Sequence, residues 1–399
     1  MENNVSGYLR ADGTKGIRNV LLVVYLVECA HHVSQQIAKA FDEQDVQVVG
    51  FSGCYPNKHA DKIINAVCTH ANVGAVLLVS LGCESFNRSQ LECHIAETGR
   101  PVHTIVIQEA GGTPGAVESG RTWVAEALTV LDTVQRVSIN FDDLIIGTVC
   151  GGSDATSGIT ANPSVGRAFD RLVQKGAICM FEETGEMIGL EDIMSRRAPT
   201  PALATELRNA VEKAAAYYSK MGHGSFAPGN AEGGLSTIEE KSMGAYCKSG
   251  NLPISGLIKP GDRPPRSGLY LMDVVSDGDP VFGFPNINDS SEIVEMIASG
   301  CHLILFTTGR GSVVGAAVSP VIKICANPDT YRRMSGDMDI NAGRILEGSA
   351  TIDDVGDEIV SLVAAVACGK KTKSEKLGHQ EFVLTYQTFE PIGPACLPK

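Results

Sequence analysis

Cysteine, glycine, carboxylate and short hydroxyl side chains crowd into one run of this chain, CGGSDATSGITANP from Cys150 to Pro163. The run follows an apolar strand-like segment, Leu144 to Val149, and leads into a helix-like one, Ser164 to Gln174. Gly151 and Gly152 let backbone N–H groups come close to a ligand. Ser153, Asp154, Thr156, Ser157 and Thr160 could orient it, and the helix start that follows favours an anion. A plain turn with a helix cap would not need so many short polar groups, so the run reads as a binding loop.

Other chemistry-bearing residues fall at the ends of apolar runs, where open α/β sheets bind their ligands. In chain order these ends carry Glu28 and Cys29, Ser52-Gly53-Cys54, Gly82-Cys83-Glu84, Gln108-Glu109 and Cys150. Soft thiolates and carboxylates brought together this way could hold a first-row metal, iron above all. Cys54, Cys83 and Cys150 could equally hold an iron–sulfur cluster with one open iron. The opposing reading is a cysteine serving only as a small residue in a crowded turn. TTGRGS, Thr307 to Ser312, offers Thr308, Gly309 and Arg310 for a carboxylate or sulfonate. It lacks the GK[ST] ending of a nucleotide-binding loop. His31 and His32 open a helix-like segment, and adjacent helical residues face different ways, so one of the two at most enters a site. CYPNKH adds Asn57, Lys58 and His59 beside Cys54, while His223 sits in a glycine-rich loop, 222–234, that could close over a substrate. His302 reads as a core or turn histidine.

The elements that must position these groups alternate. Apolar runs at Val20 to Val27, Val46 to Phe51, Ala75 to Ser80 and His103 to Ile107 are each followed by a helical pattern. That order predicts a parallel sheet with crossover helices. A polar stretch, Asp132 to Asp142, reads as a linker. A second α/β region then takes strands at Leu144 to Val149, Ala177 to Phe181, Gly268 to Val274, Leu303 to Phe306 and Val321 to Ile324, with long helices at Ala202 to Lys220 and Thr351 to Ala367. Asn251 to Pro265 reads as a loop excursion. The expected fold is α/β: two Rossmann-like regions, 1–135 and 143–399, with mainly parallel sheets and an active site at the strand carboxyl ends between them.

With 399 residues, 43% hydrophobic and 20% charged, the chain has an ordinary globular composition. A net charge of −13 without a Lys/Arg-rich stripe argues against nucleic acid and requires a locally positive site for an acidic substrate. The N-terminal residues form no export signal and the longest early apolar run is too short to span a bilayer, so the expectation is a cytoplasmic protein. Its twelve cysteines include no CxxC pair and read as reduced thiols.

Several long motifs stand in one order: GYLRADGTKGIRN at Gly7, SLGCE at Ser80, the Cys150 loop, PGNAEGGLSTIEEKSMGA at Pro228, TTGRGS at Thr307 and MDINAGRI at Met338. Together they resemble the altronate and galactarate dehydratase family of lyases over nearly the whole chain. The resemblance implies iron, with manganese as the alternative, and metal-assisted elimination from an anionic 2-hydroxy acid. It also implies a small β-rich (SAF-type) domain on a separate subunit, and hence a hetero-oligomer. VECAHH, FSGCYPNKH, EETGE and MDVVSDG depart from the sugar-acid pattern, and the added His, Lys and Asn suit a short dianion. The expected reaction is therefore release of sulfite from (2R)-3-sulfolactate to give pyruvate. A sugar-acid hydro-lyase and a non-catalytic sugar-acid-binding subunit stand as alternatives. In the roles so implied, Cys54, Cys83, Cys150 and Glu84 bind metal, and Asp154 and His223 move protons. His31 or His32, Lys58, Ser153, Ser157, Thr308 and Arg310 hold substrate.

Overall fold

Strand Val20–Tyr25 sends its side chains alternately into two cores: Leu21 and Val23 to one side, Val20, Leu22 and Val24 to the other. Leu303–Thr308 does the same with Leu303 and Leu305 against Ile304 and Phe306. Strands buried on both faces read as continuous apolar runs, which is why they were visible in the sequence. A computed structural model describes residues 4–42, 44–220, 225–275, 277 and 288–384.

In chain order the strands are β1 (Asn4–Leu9), β2 (Lys15–Gly16), β3 (Val20–Tyr25), β4 (Val46–Gly50), β5 (Val73–Ser80), β6 (Val102–Val106) and β7 (Val137–Asn140), then β8 (Ile145–Cys150), β9 (Ile178–Phe181), β10 (Ile254–Ile258), β11 (Gly268–Met272), β12 (Leu303–Thr308), β13 (Val321–Cys325) and β14 (Ile340–Asn341). They form a parallel four-stranded sheet, β4-β3-β5-β6, and a parallel seven-stranded sheet, β10-β11-β9-β8-β12-β13-β14. The α/β expectation holds. Three features were not anticipated. The stretch expected as a linker contains β7, which pairs antiparallel with β1. The excursion Asn251 to Pro265 contains β10, an edge strand of the large sheet. A capped helix, Asp289–Ala298, follows Asn288, whose side chain accepts from Ser291 N.

The two sheets share one central core, filled by helices Lys58–Cys68, Arg88–Glu97 and Asp289–Ala298. Helices Glu28–Ala38 and Gly112–Leu131 cover the outer face of the small sheet. Helices Ala161–Gln174, Pro201–Lys220 and Ile352–Ala367 cover that of the large one. Buried Asn72 stitches the strand starts together: its Oδ1 accepts from Ile17 N at 2.8 Å, and its Nδ2 donates to His302 O at 3.0 Å and Val318 O at 3.1 Å. His302 in turn accepts from Ile145 N at 2.9 Å. The amino ends of both sheets therefore meet at one junction.

Candidate active site

In the large sheet the chain leaves β8 toward β9 on one side and returns as β12 on the other. Such a reversal of strand order opens a crevice at the carboxyl ends. The two loops singled out in the sequence meet there. Gly309 N and Arg310 N both donate to Gly152 O, at 3.2 and 2.8 Å, and Gly151 N donates to Thr307 O at 3.1 Å. These loop N–H groups hold the loops to each other and are not turned to a ligand.

Beside them lies a cavity of about 580 Å³, lined among others by Cys150, Ser153, Tyr218, Asn230 and Lys241. Four carboxylates also line it, from Glu183, Glu186, Asp289 and Glu292. Among the described residues every lining residue lies between Cys150 and Glu292, so that much of the wall comes from the second α/β region. Cys150 ends β8, and Glu183 follows β9 with φ of 78°, a left-handed backbone that a non-glycine residue adopts at a cost of roughly 1–3 kcal/mol. Both are buried. One ligand atom each from Cys150, Glu183 and Glu186 lies within 4.8 Å of the other two. A thiolate with two carboxylates suits a first-row divalent metal, so the donor set fits the implied cofactor. Fully buried Lys248 reaches the same three groups. It pairs with Glu183 and stands 3.2 Å from Cys150 Sγ and 3.4 Å from Glu186 Oε2. Metal and ammonium compete for that place, so loading requires the Lys248 side chain to withdraw.

Burial, with Glu186 beside it, pushes the Cys150 thiol up to about 12. Lys241 donates to Glu186 Oε1 at 2.8 Å; burial disfavours its charge, but the Glu186 carboxylate outweighs that and raises its pKa. Asp289 opens its helix. Burial, and then Glu186, lift its carboxyl to about 6. A Cβ at Gly151 would land on that carboxylate, so the first glycine of the loop is there to admit Asp289.

The residues named from sequence divide. Cys150 and Ser153 line the cavity. Asp154 does not: its Oδ1 accepts from Thr156 N, Thr156 Oγ1 and Ser157 Oγ at 2.9, 2.6 and 3.3 Å, and its Oδ2 from Asn327 Nδ2 at 3.1 Å. It fastens the loop and does not line the cavity, which is the physical reason against its expected acid/base role. Ser157 belongs to the same fastening, and Thr308 Oγ1 accepts from Gly311 N at 3.0 Å. Arg310 points outward to Gly229 O at 2.6 Å and Glu232 at 3.1 Å. Cys54, Cys83 and Glu84 lie at the ends of the other sheet. Both thiols are exposed, and Glu84 accepts from Ser80 Oγ at 2.5 Å and Gly82 N at 2.9 Å. None of the three joins Cys150 in the only such group among the described residues. His31 pairs with Glu28 at 3.0 Å and lines a separate groove with Tyr25, while His32 and Lys58 are exposed. His223 lies outside the described residues.

Glu183, Glu186, Lys241, Lys248, Tyr218 and Asp289 were missed as site residues. The one signal in reach was EETGE, three carboxylates in five residues directly after a strand.

Comparison with known proteins covers both regions. Residues 7–132 match the second domain of D-galactarate dehydratase/altronate hydrolase, and residues 141–389 match the C-terminal D-galactarate/altronate dehydratase domain. The (2R)-sulfolactate sulfo-lyase subunit beta of Chromohalobacter salexigens is 30% identical over 393 residues, 95% of this chain and 96% of that protein. The L-threo-forming galactarate dehydratase of Escherichia coli is 32% identical over 401 residues, 93% of this chain and 74% of that protein. The altronate dehydratase of Bacillus subtilis is 28% identical over 395 residues, 95% and 76% of the two chains.

Proposed function

This chain belongs to the D-galactarate/altronate dehydratase family, and from that premise we propose that it is a hydro-lyase that removes water from a polyhydroxy 2-hydroxy acid. The named substrates of its relatives, altronate, galactarate and sulfolactate, are all 2-hydroxy carboxylates. The observation that carries the choice among them is the cavity lining: four carboxylates against the single ammonium of Lys241 among the described residues. Carboxylates accept from substrate hydroxyls and repel a second anionic group, which favours altronate, with its single carboxylate, over galactarate and sulfolactate, each with two anionic groups. The His31, His32 and Lys58 side chains that favoured a dianion from sequence belong to the other sheet. Sulfite release from (2R)-3-sulfolactate is the second reading, supported by the sulfo-lyase subunit that matches along 95% of this chain.

In the proposed reaction Asp289 takes the C2 proton, its raised carboxyl pKa suiting a base near neutrality. Tyr218, whose phenol is raised by burial and then by Glu292, keeps its proton and delivers it to the departing C3 hydroxyl. Asn230 and Ser153 hydrogen-bond the remaining hydroxyls. The enol left behind tautomerises to a 2-keto acid. A divalent iron or manganese ion held by Cys150, Glu183 and Glu186 would steady the substrate carboxylate and the charge developing next to it.

One relative is named a beta subunit, which supports assembly with a second kind of chain; a small β-rich (SAF-type) subunit is our proposal for it. Eleven free cysteines among the described residues support a reducing, cytoplasmic setting. No helix among the described residues is long and apolar enough to cross a membrane. The deciding test offers altronate, galactarate and 3-sulfolactate to the iron-loaded protein, handled without air. Keto acid from a sugar acid with no sulfite supports the dehydratase. Sulfite appearing in step with pyruvate overturns it in favour of the second reading.

A further inference from the structure

At the back of the cavity, Glu182, Glu292 and Glu295 add three buried carboxyl groups to the Cys150 cluster. Around Cys150, two carboxylates, Glu183 and Glu186, meet two ammonium groups, Lys241 and Lys248. One residue earlier, Glu182 is fully buried, and no donor reaches either of its oxygens. Its carboxyl lies within hydrogen-bonding reach of that of Glu292 on helix Asp289–Ala298. Glu295 follows one turn along the same helix face, 3% exposed, with His59 Nε2 at 3.2 Å from its Oε1. The His59 side chain is only 9% exposed, and Nε2 completes no hydrogen bond. His59 comes from the first α/β region, on helix Lys58–Cys68, which packs against Asp289–Ala298.

Carboxyl groups buried close together are costly to ionise and take up either a proton or a cation. We propose that Glu182, Glu292, Glu295 and His59 form a second cation site, next to the Cys150 group and distinct from it. Three carboxylates and an imidazole suit Mn²⁺ or Fe²⁺, where an all-oxygen set would suit Mg²⁺ or Ca²⁺. Two contacts of the set are already made, Glu182 with Glu292 and Glu295 with His59. The four ligand atoms do not yet converge, since the only triple within 4.8 Å among the described residues is Cys150, Glu183 and Glu186. Closing the set takes rotation of the glutamate side chains. An ion here would join the two regions at the back of the cavity, because His59 belongs to one and the glutamates to the other. The site stands whichever leaving group the enzyme expels.

The test counts ions and needs no turnover. Full-length protein is stripped with a chelator, reloaded with Mn²⁺ alone and titrated by electron paramagnetic resonance. Wild type should bind two ions per chain. Glu292→Gln/Glu295→Gln should bind one and Cys150→Ser one, each with an unchanged circular dichroism spectrum. His59→Gln should remove the nitrogen coupling from the ion that persists in Cys150→Ser. Glutamine keeps the volume of glutamate, so loss of an ion would not report loss of the fold. A single ion in wild type, kept by Glu292→Gln/Glu295→Gln and lost in Cys150→Ser, would overturn the proposal and leave Glu182 and Glu292 as a proton-sharing pair.

Discussion

Asp154 and Asp289 are both carboxylates near the Cys150 loop, and their neighbours give them opposite work. Asp154 spends its lone pairs on Thr156, Ser157 and Asn327, whereas Asp289 faces the cavity. Asp289→Asn should therefore lower kcat by about 10²–10⁴-fold, the range of a lost general base, with little change in melting temperature. Asp154→Asn should instead cost roughly 1–3 kcal/mol of stability, since it leaves buried donors without an acceptor. Paired melting curves and rates on the two variants check this. If Asp154→Asn lost its turnover at unchanged stability while Asp289→Asn did not, the roles would be reversed.

At the scale of elements, the site depends on a strand end, a glycine and a helix start arriving together. β8 delivers Cys150, β9 delivers Glu183 through its left-handed turn, and helix Asp289–Ala298 delivers Asp289 against Gly151. Gly151→Ala would drive a methyl into the Asp289 carboxylate. The expected outcome is loss of most activity, with the Mn²⁺ held by Cys150 still bound, measured as kcat beside metal content. The strands of this arrangement were legible beforehand because they are apolar on both faces. The helix was not. Its run Asp289 to Ala298 carries Asp289, Glu292 and Glu295 among apolar residues, and those charges mask a helix buried on nearly every side. The groups those carboxylates meet, Glu182, His59 and the Cys150 loop, come from distant segments.

At the scale of the molecule, the junction at the strand starts ties the two sheets together through neutral histidines. His302 accepts from Ile145 N, and its Nε2 lies 2.8 Å from Lys15 O. Asn72 N donates to Nδ1 of buried His70, whose ring centre lies 5.8 Å from that of His302. Burial, with Arg263 adding to it, holds His302 down at about 4, and burial and then His302 hold His70 low as well. The folded pKa lies below that of the unfolded chain, so as pH falls the unfolded state takes the proton first. Stability from His302 is complete above about pH 6.5 and is lost between there and about pH 4, worth roughly 3 kcal/mol. Urea unfolding at pH 7.5 and 4.5 (values chosen to bracket about that window) should show the loss. In His302→Gln the slope with pH should be shallower, and an equal slope would remove His302 as its source.

What the sequence by itself determined is what local pattern encodes: an α/β fold with mainly parallel strands, most of those strands, and the family. Apolar runs, glycines and ordered motifs carry that information within a few residues. The tertiary structure alone decided which strand ends share a cavity. Cys54 and Cys83 sit at strand ends as Cys150 does, yet they lie on another sheet, and it is Glu183 and Glu186 that stand within 4.8 Å of Cys150. That choice depends on the order β9-β8-β12 in the large sheet and on a helix that starts more than a hundred residues after Cys150. Long-range pairing of strands sets it, and no short window of sequence records that pairing.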